Sequence, residues 1–449
     1  MKATGMATEP ISKNRWKQQW ACVLLTVCLL FSSAVMPVMA QPLPVEAPVT
    51  AVLSTEAAAN VSQQVAAYER FMDHQYGIKL SASMTPQTFA GLLNRVSRQE
   101  VAPASADAEL LTVFDAVEMA VAAANQKQLA GTYPEAKVWA SLAAAGIADE
   151  LADMPADHSL AALAVALDLQ MIPADLLVGL NLSEEQAPSD VTTLLAGKVV
   201  EMNGRYKNYL GQISDPAIFG KIYTAWEAQT LIEATELREL INQVLEADVI
   251  TGYNVKDLQF DPRFDPELTI TYGHSNIVHA LQLIGLLRSE GINARVQLEP
   301  KSSAYIYMKE WGEPQESPGY QVAMIENGNY IAYAKEYDIS FEFFTKQEKE
   351  RFQDIIFAYA KRNQEDMTGL IAGSWWQPLF YSLTPLEDYL VITNNYIQAE
   401  GKLAQSFSLQ EDSEAVMTAI QELGADMDVV TYDFWVDEPF FNYLTGGYQ

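Results

Sequence analysis

The sequence predicts an α+β fold, with a mainly helical N-terminal region followed by a mixed α+β domain. Three observations carry that prediction. From about residue 56 to 250, apolar residues recur at three- and four-residue spacing through Ala-rich stretches such as Asp115 to Gln128 and Ala136 to Leu151, with few β-branched runs. Around Thr251 to Tyr272 the texture changes to Pro, Asp, Gly and Tyr, which marks a boundary. Beyond it, one strong helical pattern is followed by short aromatic and β-branched segments, further helices and an aromatic C-terminus. The length of 449 residues predicts two or three domains, and 49% apolar residues suffice for real cores. Lys and Arg number 28 against 58 Asp and Glu, a net charge of −30. That balance excludes a general nucleic-acid binder, which needs a basic surface, and disfavours docking on anionic lipid.

Taken in order, residues 1–40 read as an export signal. Lys2, Lys13, Arg15 and Lys17 form a basic leader, Ala21 to Phe31 an apolar stretch, and Val38-Met39-Ala40 a small-residue cleavage site before Gln41. Ser32, Ser33 and Pro37 interrupt the apolar run before it reaches the roughly 20 residues a membrane span needs, although an uncleaved anchor helix is the alternative. Both cysteines, Cys22 and Cys28, fall inside this signal, and Val27 before Cys28 argues against lipidation. The mature chain then has 24 basic and 57 acidic residues, net −33, and no cysteine. Disulfides, thiolate catalysis and Cys-ligated zinc are excluded together. Residues 41–55, rich in Pro, Ala and Val, read as a linker.

Residues 56–250 come next as the helical region, which contains a weak internal repeat. In Met84 to Arg95, Thr85 is placed to cap a helix and Phe89, Leu92 and Leu93 to pack inward. Val138 to Ile147 and Leu163 to Pro173 have the pattern of opening helices, and Ser189 to Ala196 that of another closing one. This arrangement resembles S-layer homology repeats, short helices that bury their apolar faces only against neighbouring repeats. The resemblance implies binding to a cell-wall polymer, but Pro86 and Thr88 stand where the family carries Arg and Glu, which puts the usual route in doubt. An unrelated Ala-rich bundle is the other reading.

Residues 251–449 form the second domain, and Tyr272 to Val296 is its most informative stretch. Ser275 or Asn276 caps a helix, Ile277, Ala280, Leu281, Ile284 and Leu287 make its buried face, Gly291 supplies the left-handed stop, and Ile292 to Leu298 enters a strand. The passage from Ala280 to Val296 resembles the core of the transglutaminase-like superfamily, which implies a papain-like α+β domain. In that family a Cys at the helix N-terminus, a His on one later strand and an Asp on the next form a triad. Counted back from Arg288, the cysteine's place holds Asn276, and the places best aligned with His and Asp hold Tyr320 and Ala334. The resemblance therefore implies a domain without its thiol mechanism, since an amide caps or hydrogen-bonds but does not attack.

The residues themselves suggest other chemistry. Ser275 and His279, four apart, share a helix face and suggest a hydrolytic dyad, yet no orienting acid or oxyanion hole is legible. His274 and His279 as metal ligands are disfavoured by their five-residue spacing, and His74 and His158 read as surface residues. Asp257, Asp261 and Asp265 form an acidic loop of a kind calcium favours, but without the spacing of a known calcium loop. Trp375, Trp376, Phe380, Tyr381 and the tail from Phe434 to Tyr443 offer either sugar stacking or core packing.

The expectation is a non-catalytic, exported protein of the periplasm or cell surface. Its cleft around Ser275, Asn276, His279 and Tyr320 would bind peptidoglycan, a wall polymer or an envelope protein, with no cofactor, no metal and no stable membrane span. The alternatives are a hydrolase using Ser275 and His279, and a self-associating structural protein.

Overall fold

Helix α1 (Thr55–Tyr76) opens the part of the chain that the computed structural model describes, namely residues 55–81, 83–104, 108–359, 379–424 and 427–445. The export signal, most of the linker, and Trp375 and Trp376 lie outside the described residues. The helical region continues through α2 (Pro86–Val96), α3 (Val113–Ala123), α4 (Lys127–Ala130), α5 (Glu135–Ala144), α6 (His158–Asp168) and α7 (Ser189–Met202). Thr85 caps α2 in a reciprocal capping box with Thr88, and Phe89, Leu92 and Leu93 are buried as their spacing requires. These helices share one core that runs from Val65 to Val200. Helices α1 and α7 cross at Gly197, where the Tyr68 ring lies on bare backbone and its hydroxyl donates to Glu201 at 2.6 Å.

The cores change earlier in the chain than the sequence texture does. Strand β1 (Gly211–Gln212), helix α8 (Ile218–Glu227) and helix α9 (Thr235–Glu246) still read as helical region, but they pack against elements from the second half of the chain. Next come β2 (Gly252–Asp257), β3 (Thr269–His274), α10 (Ile277–Ser289), β4 (Ala294–Tyr307), β5 (Tyr320–Met324) and β6 (Tyr330–Phe343). The chain ends with α11 (Lys346–Tyr359), β7 (Leu379–Ser382), β8 (Leu390–Ala399), β9 (Lys402–Ser408), α12 (Ser413–Leu423), β10 (Val430–Val436) and α13 (Glu438–Leu444). The α+β class stands, with every strand but β1 gathered in the second half.

The strands pair antiparallel in the order β4-β2-β9-β8-β10-β7-β3-β6, and β6 returns to β4, so eight of them close a barrel. Closure depends on two 14-residue strands paired along their whole length, from Ala294 opposite Phe343 to Tyr307 opposite Tyr330. Each is long enough for two partners on its other edge: β4 takes β1 and β2, and β6 takes β3 and β5. Because side chains alternate between faces, the register assigns each residue to the lumen or the outside. Val296, Leu298, Ile339, Phe341 and Phe343 face out and are buried under α8, α10 and α11. Ala304, Ile331 and Val255 face out under α9 and α12. Each fully buried side chain of this size contributes roughly 2–3 kcal/mol, so the helical coat is a principal source of stability.

A Cβ added at Gly197 would stand 2.2 Å from the Tyr68 ring. Gly197→Ala is therefore expected to cost about 1–3 kcal/mol by overpacking the α1–α7 crossing. Urea denaturation checks it, with far-UV circular dichroism expected to show the helices retained.

Candidate functional site

Helix α10 begins as its sequence requires, although only one of its two candidate caps is used that way. The Asn276 side chain accepts from the Val278 N–H at 3.0 Å, and Gly291 turns the chain out at φ +72°. Ile277, Ala280, Ile284 and Leu287 are buried as expected, Leu283 joins them, and Leu281 is half-buried. The exposed Asn276 uses its amide for the cap, and its carbonyl accepts from the Tyr337 hydroxyl at 2.9 Å.

The three triad-like positions do not share a surface. Tyr320 pairs directly with Ala334 across β5 and β6, and Ala334 pairs in turn with Ser303 on the lumen face. Tyr337, which holds Asn276, points to the opposite, helix-covered face of β6 and lies roughly 10 Å along the strand from Ala334. The Tyr320 hydroxyl instead meets that of Tyr305 at 3.4 Å.

The histidines correct a sequence expectation. Their five-residue spacing separates them only if both lie on one helix, but His274 is the last residue of β3 and the helix starts after it. The turn folds the two rings together, with centroids 4.3 Å apart and His279 Nδ1 3.2 Å from both His274 ring nitrogens. Burial, with help from His279 and Lys301, lowers His274 to about 3, and burial lowers His279 as well. The ring facing His279 Nδ1 is thus a neutral imidazole, whereas a Ser275–His279 dyad calls for an orienting carboxylate. His74 and His158 are exposed.

The acidic loop does not converge either. Asp257, Asp261 and Asp265 each accept from a backbone N–H two residues on, and Asp265 also pairs with Arg70 at 3.0 Å. Among the described residues, no group of three or more His, Asp or Glu is placed to hold a metal ion. Phe380, Phe434 and Phe440 are core residues, with exposures of 2% or less, so they offer no stacking surface.

What the sequence reading missed lies inside the barrel. Lys256 Nζ is 2.6 Å from Asp338 Oδ2 and 2.7 Å from Glu299 Oε2, while Lys301 Nζ is 2.8 Å from Asp338 Oδ1. Ser303 donates to Glu336 at 2.6 Å, and the Tyr381 hydroxyl donates to Asp338 at 3.2 Å. At the other end of the lumen, Lys207 and Arg295 hold the fully buried Glu342. Burial alone would raise the Asp338 carboxyl, but Lys256 and Lys301 outweigh it and hold it at about 2. For Glu299 burial wins over Lys256 and pushes the carboxyl up to about 7. A further buried cation, Lys349, donates to Ser382 and Thr384 at 2.9 Å each and to the Pro266 carbonyl at 3.0 Å. Burial lowers its amine to about 8, the chemistry of a Ser–Lys pair, but Ser382 is 1% exposed and both groups are sealed between α11 and the barrel.

The network opens upward into a cavity of about 110 Å³ at one mouth of the barrel. Asn254, Ser303, Glu336 and Lys301 form its polar end, and Phe407, with Phe440 and Leu444 of α13, its apolar end. His274 and Gly273 also line it, and the exposed Thr251 stands at its rim. Gly273 is required there, since a Cβ would meet Asp338 Oδ1 at 2.7 Å and Lys301 Nζ at 2.9 Å. Barrel mouths are common ligand sites, and an eight-stranded barrel has room for filling side chains or one small ligand. No protein-family model, curated protein or solved structure matches the chain.

Two outcomes are expected for the lumen. Asp338→Asn leaves Lys256 and Lys301 short of a buried counter-charge, and a loss of about 3–5 kcal/mol is expected in urea denaturation. Glu299 holds its proton more tightly when folded, at about 7 against 4.5, so its stabilisation is full below about pH 4.5 and is lost as pH rises through about 7. The wild type should therefore lose more stability between about pH 5 and pH 8 than Glu299→Gln does, as measured by urea midpoints in the two buffers.

Proposed function

We propose that this chain is exported to the cell envelope and works there by binding, with a second half derived from a transglutaminase-like, papain-like α+β domain that has lost its thiol chemistry. The observation that carries the reading is the barrel-mouth cavity, part polar and part apolar, beside the N-terminus of the helix where that family keeps its nucleophile. Four features support it. Residues 1–40 have the pattern of an export signal and contain both cysteines, and the helix, Gly291 and β4 succeed one another as in that family's core. Asn276 commits its side chain to the helix cap, and among the described residues no helix is long and apolar enough to cross a membrane. The partner in this reading is peptidoglycan or another wall polymer, reached by the cavity and by the helical region that resembles S-layer homology repeats.

Sedimentation with purified sacculi tests the proposal. The protein is expected in the pellet and, for Leu444→Trp, which fills the apolar end of the cavity, mostly in the supernatant. Protein that stays wholly in the supernatant, or a variant that pellets as well as the wild type, counts against it.

A further inference from the structure

Among the described strands, β1 and β5 end the sheet order, and β5 is the longer of the two at five residues. The bonds that flank it fix the direction of its backbone groups. The Lys335 N–H donates to the Gly319 carbonyl and the Ile325 N–H to the Asn329 carbonyl, so Gln321 and Ala323 turn their backbone groups to β6, and Val322 and Met324 turn theirs outward. On that outer edge the Val322 N–H donates to Glu316 Oε1 at 3.1 Å, a side chain standing where a neighbouring strand would place a carbonyl.

The side chains of the same strand are apolar and uncovered. Val322 stands in one row with Ala332 and Tyr305 across the sheet, and Met324 in the next with Tyr330 and Tyr307. The Trp311 ring meets Tyr307 edge-on, with centroids 5.3 Å apart. Met324 and Trp311, 69% and 54% exposed, are the two most exposed large apolar side chains among the described residues. Around them stand Glu310, Glu313, Glu316 and Glu326, all exposed, and Lys309 is the single cation from Met308 to Tyr330. Among the described residues none of the four glutamates is in an ion pair.

We propose that β5 is a docking edge for an extended segment of another protein, one with two apolar residues two apart and Lys or Arg at its flanks. The inference concerns a protein partner and stands apart from wall binding at the mouth cavity. A strand added antiparallel gives a carbonyl to the Val322 N–H and an N–H to the Val322 carbonyl, and it releases the Glu316 carboxylate to a flanking cation. Residues directly opposite Val322 and Met324 place their side chains on the same face, where apolar ones cover Met324. Charge selects the occupant. A second copy of this chain, with a net charge of −30, would bring four more glutamates against these, whereas a basic segment compensates them.

The test is fluorescence anisotropy of a dye-labelled, amidated peptide, Lys-Thr-Val-Thr-Val-Thr-Lys, against the same peptide with Glu at both ends. The lysine-flanked peptide is expected to bind with a dissociation constant on the order of 100 μM and the other at least tenfold more weakly. Opposite Val322 and Met324 the two valines direct their N–H groups at β5, so N-methylation of both valines should abolish binding and N-methylation of the threonines should leave it. Val322→Pro removes the outward N–H at an edge position, where Pro is tolerated, and should abolish binding with the thermal melt unchanged. Met324→Lys, a change at an exposed side chain, should weaken binding at least tenfold and serves if Val322→Pro does not fold. Glu316→Lys combined with Glu326→Lys should exchange the preference between the two peptides. Equal binding of both peptides, binding that survives methylation of the valines, or binding unchanged in Met324→Lys overturns the proposal. A dimer in size-exclusion chromatography that Val322→Pro dissolves also overturns it, because the occupant is then a second copy of this chain.

Discussion

Two lysines and the carboxylate between them, Lys256–Asp338–Lys301, sit at the centre of a closed sheet, and the rest of the barrel is arranged around keeping them compensated. Charges this deep are tolerated only when every partner is in place. The register sets like charges directly opposite, Glu299 against Asp338 and Lys256 against Lys301, so compensation comes from neighbouring pairs: Lys256 with Glu299 and Asp338, and Lys301 with Asp338. A shift of one residue in any of these pairings would send the charges into the hydrocarbon under the helices and the phenylalanines into the lumen. Gly273 yields the space that the Lys301–Asp338 contact occupies.

The helical coat is the other half of the same arrangement. A barrel with a polar lumen must bury its apolar face on the outside, so α8, α9, α10, α11 and α12 are required as cover. Helix α10 is held by its Leu-rich face on β4 and β6, which brings its N-terminus and the His274–His279 pair beside the barrel mouth. The lumen is filled unevenly. Its β8–β10 wall is apolar around Ile392, Phe434 and Val436, closed over by Phe440, with Asn394 on the same face donating to Gln405 and Tyr432, and its β2–β4–β6 wall is polar. The mouth cavity lies where the two walls meet, which gives it one hydrocarbon end and one acceptor end.

Much of the local structure was legible. Helix α10 with its cap and its Gly291 stop, the Thr85 start of α2 and the strand pair after Gly319 all obey short-range rules. The candidate site was legible only in pieces. Asn276 is correctly a cap, but Tyr320 and Ala334 belong to the lumen-side face of β5 and β6, and the fold separates them from Asn276. An alignment along the chain cannot detect this, because a one-residue difference in strand register reverses the face on which a side chain lands. The histidine pair was missed for a related reason: the boundary between β3 and α10 falls between the two rings, and helical spacing does not apply across it.

The sequence by itself determined the class of many segments, though not of β1, which lies within the stretch it reads as helical. In β6, for example, Glu336, Asp338, Ser340 and Glu342 alternate with Tyr337, Ile339, Phe341 and Phe343, which can only be a strand with one polar and one apolar face. It did not determine which face would meet water. An open sheet turns such a polar face to solvent, and that is the usual reading of the pattern. Closure of the sheet into a barrel, set by contacts between strands as far apart as β2 and β9, turned the polar face inward, paired its charges and left a cavity at the mouth. Alternation is a property of neighbours in the chain and closure a property of distant strands, so only the tertiary structure made the second decision.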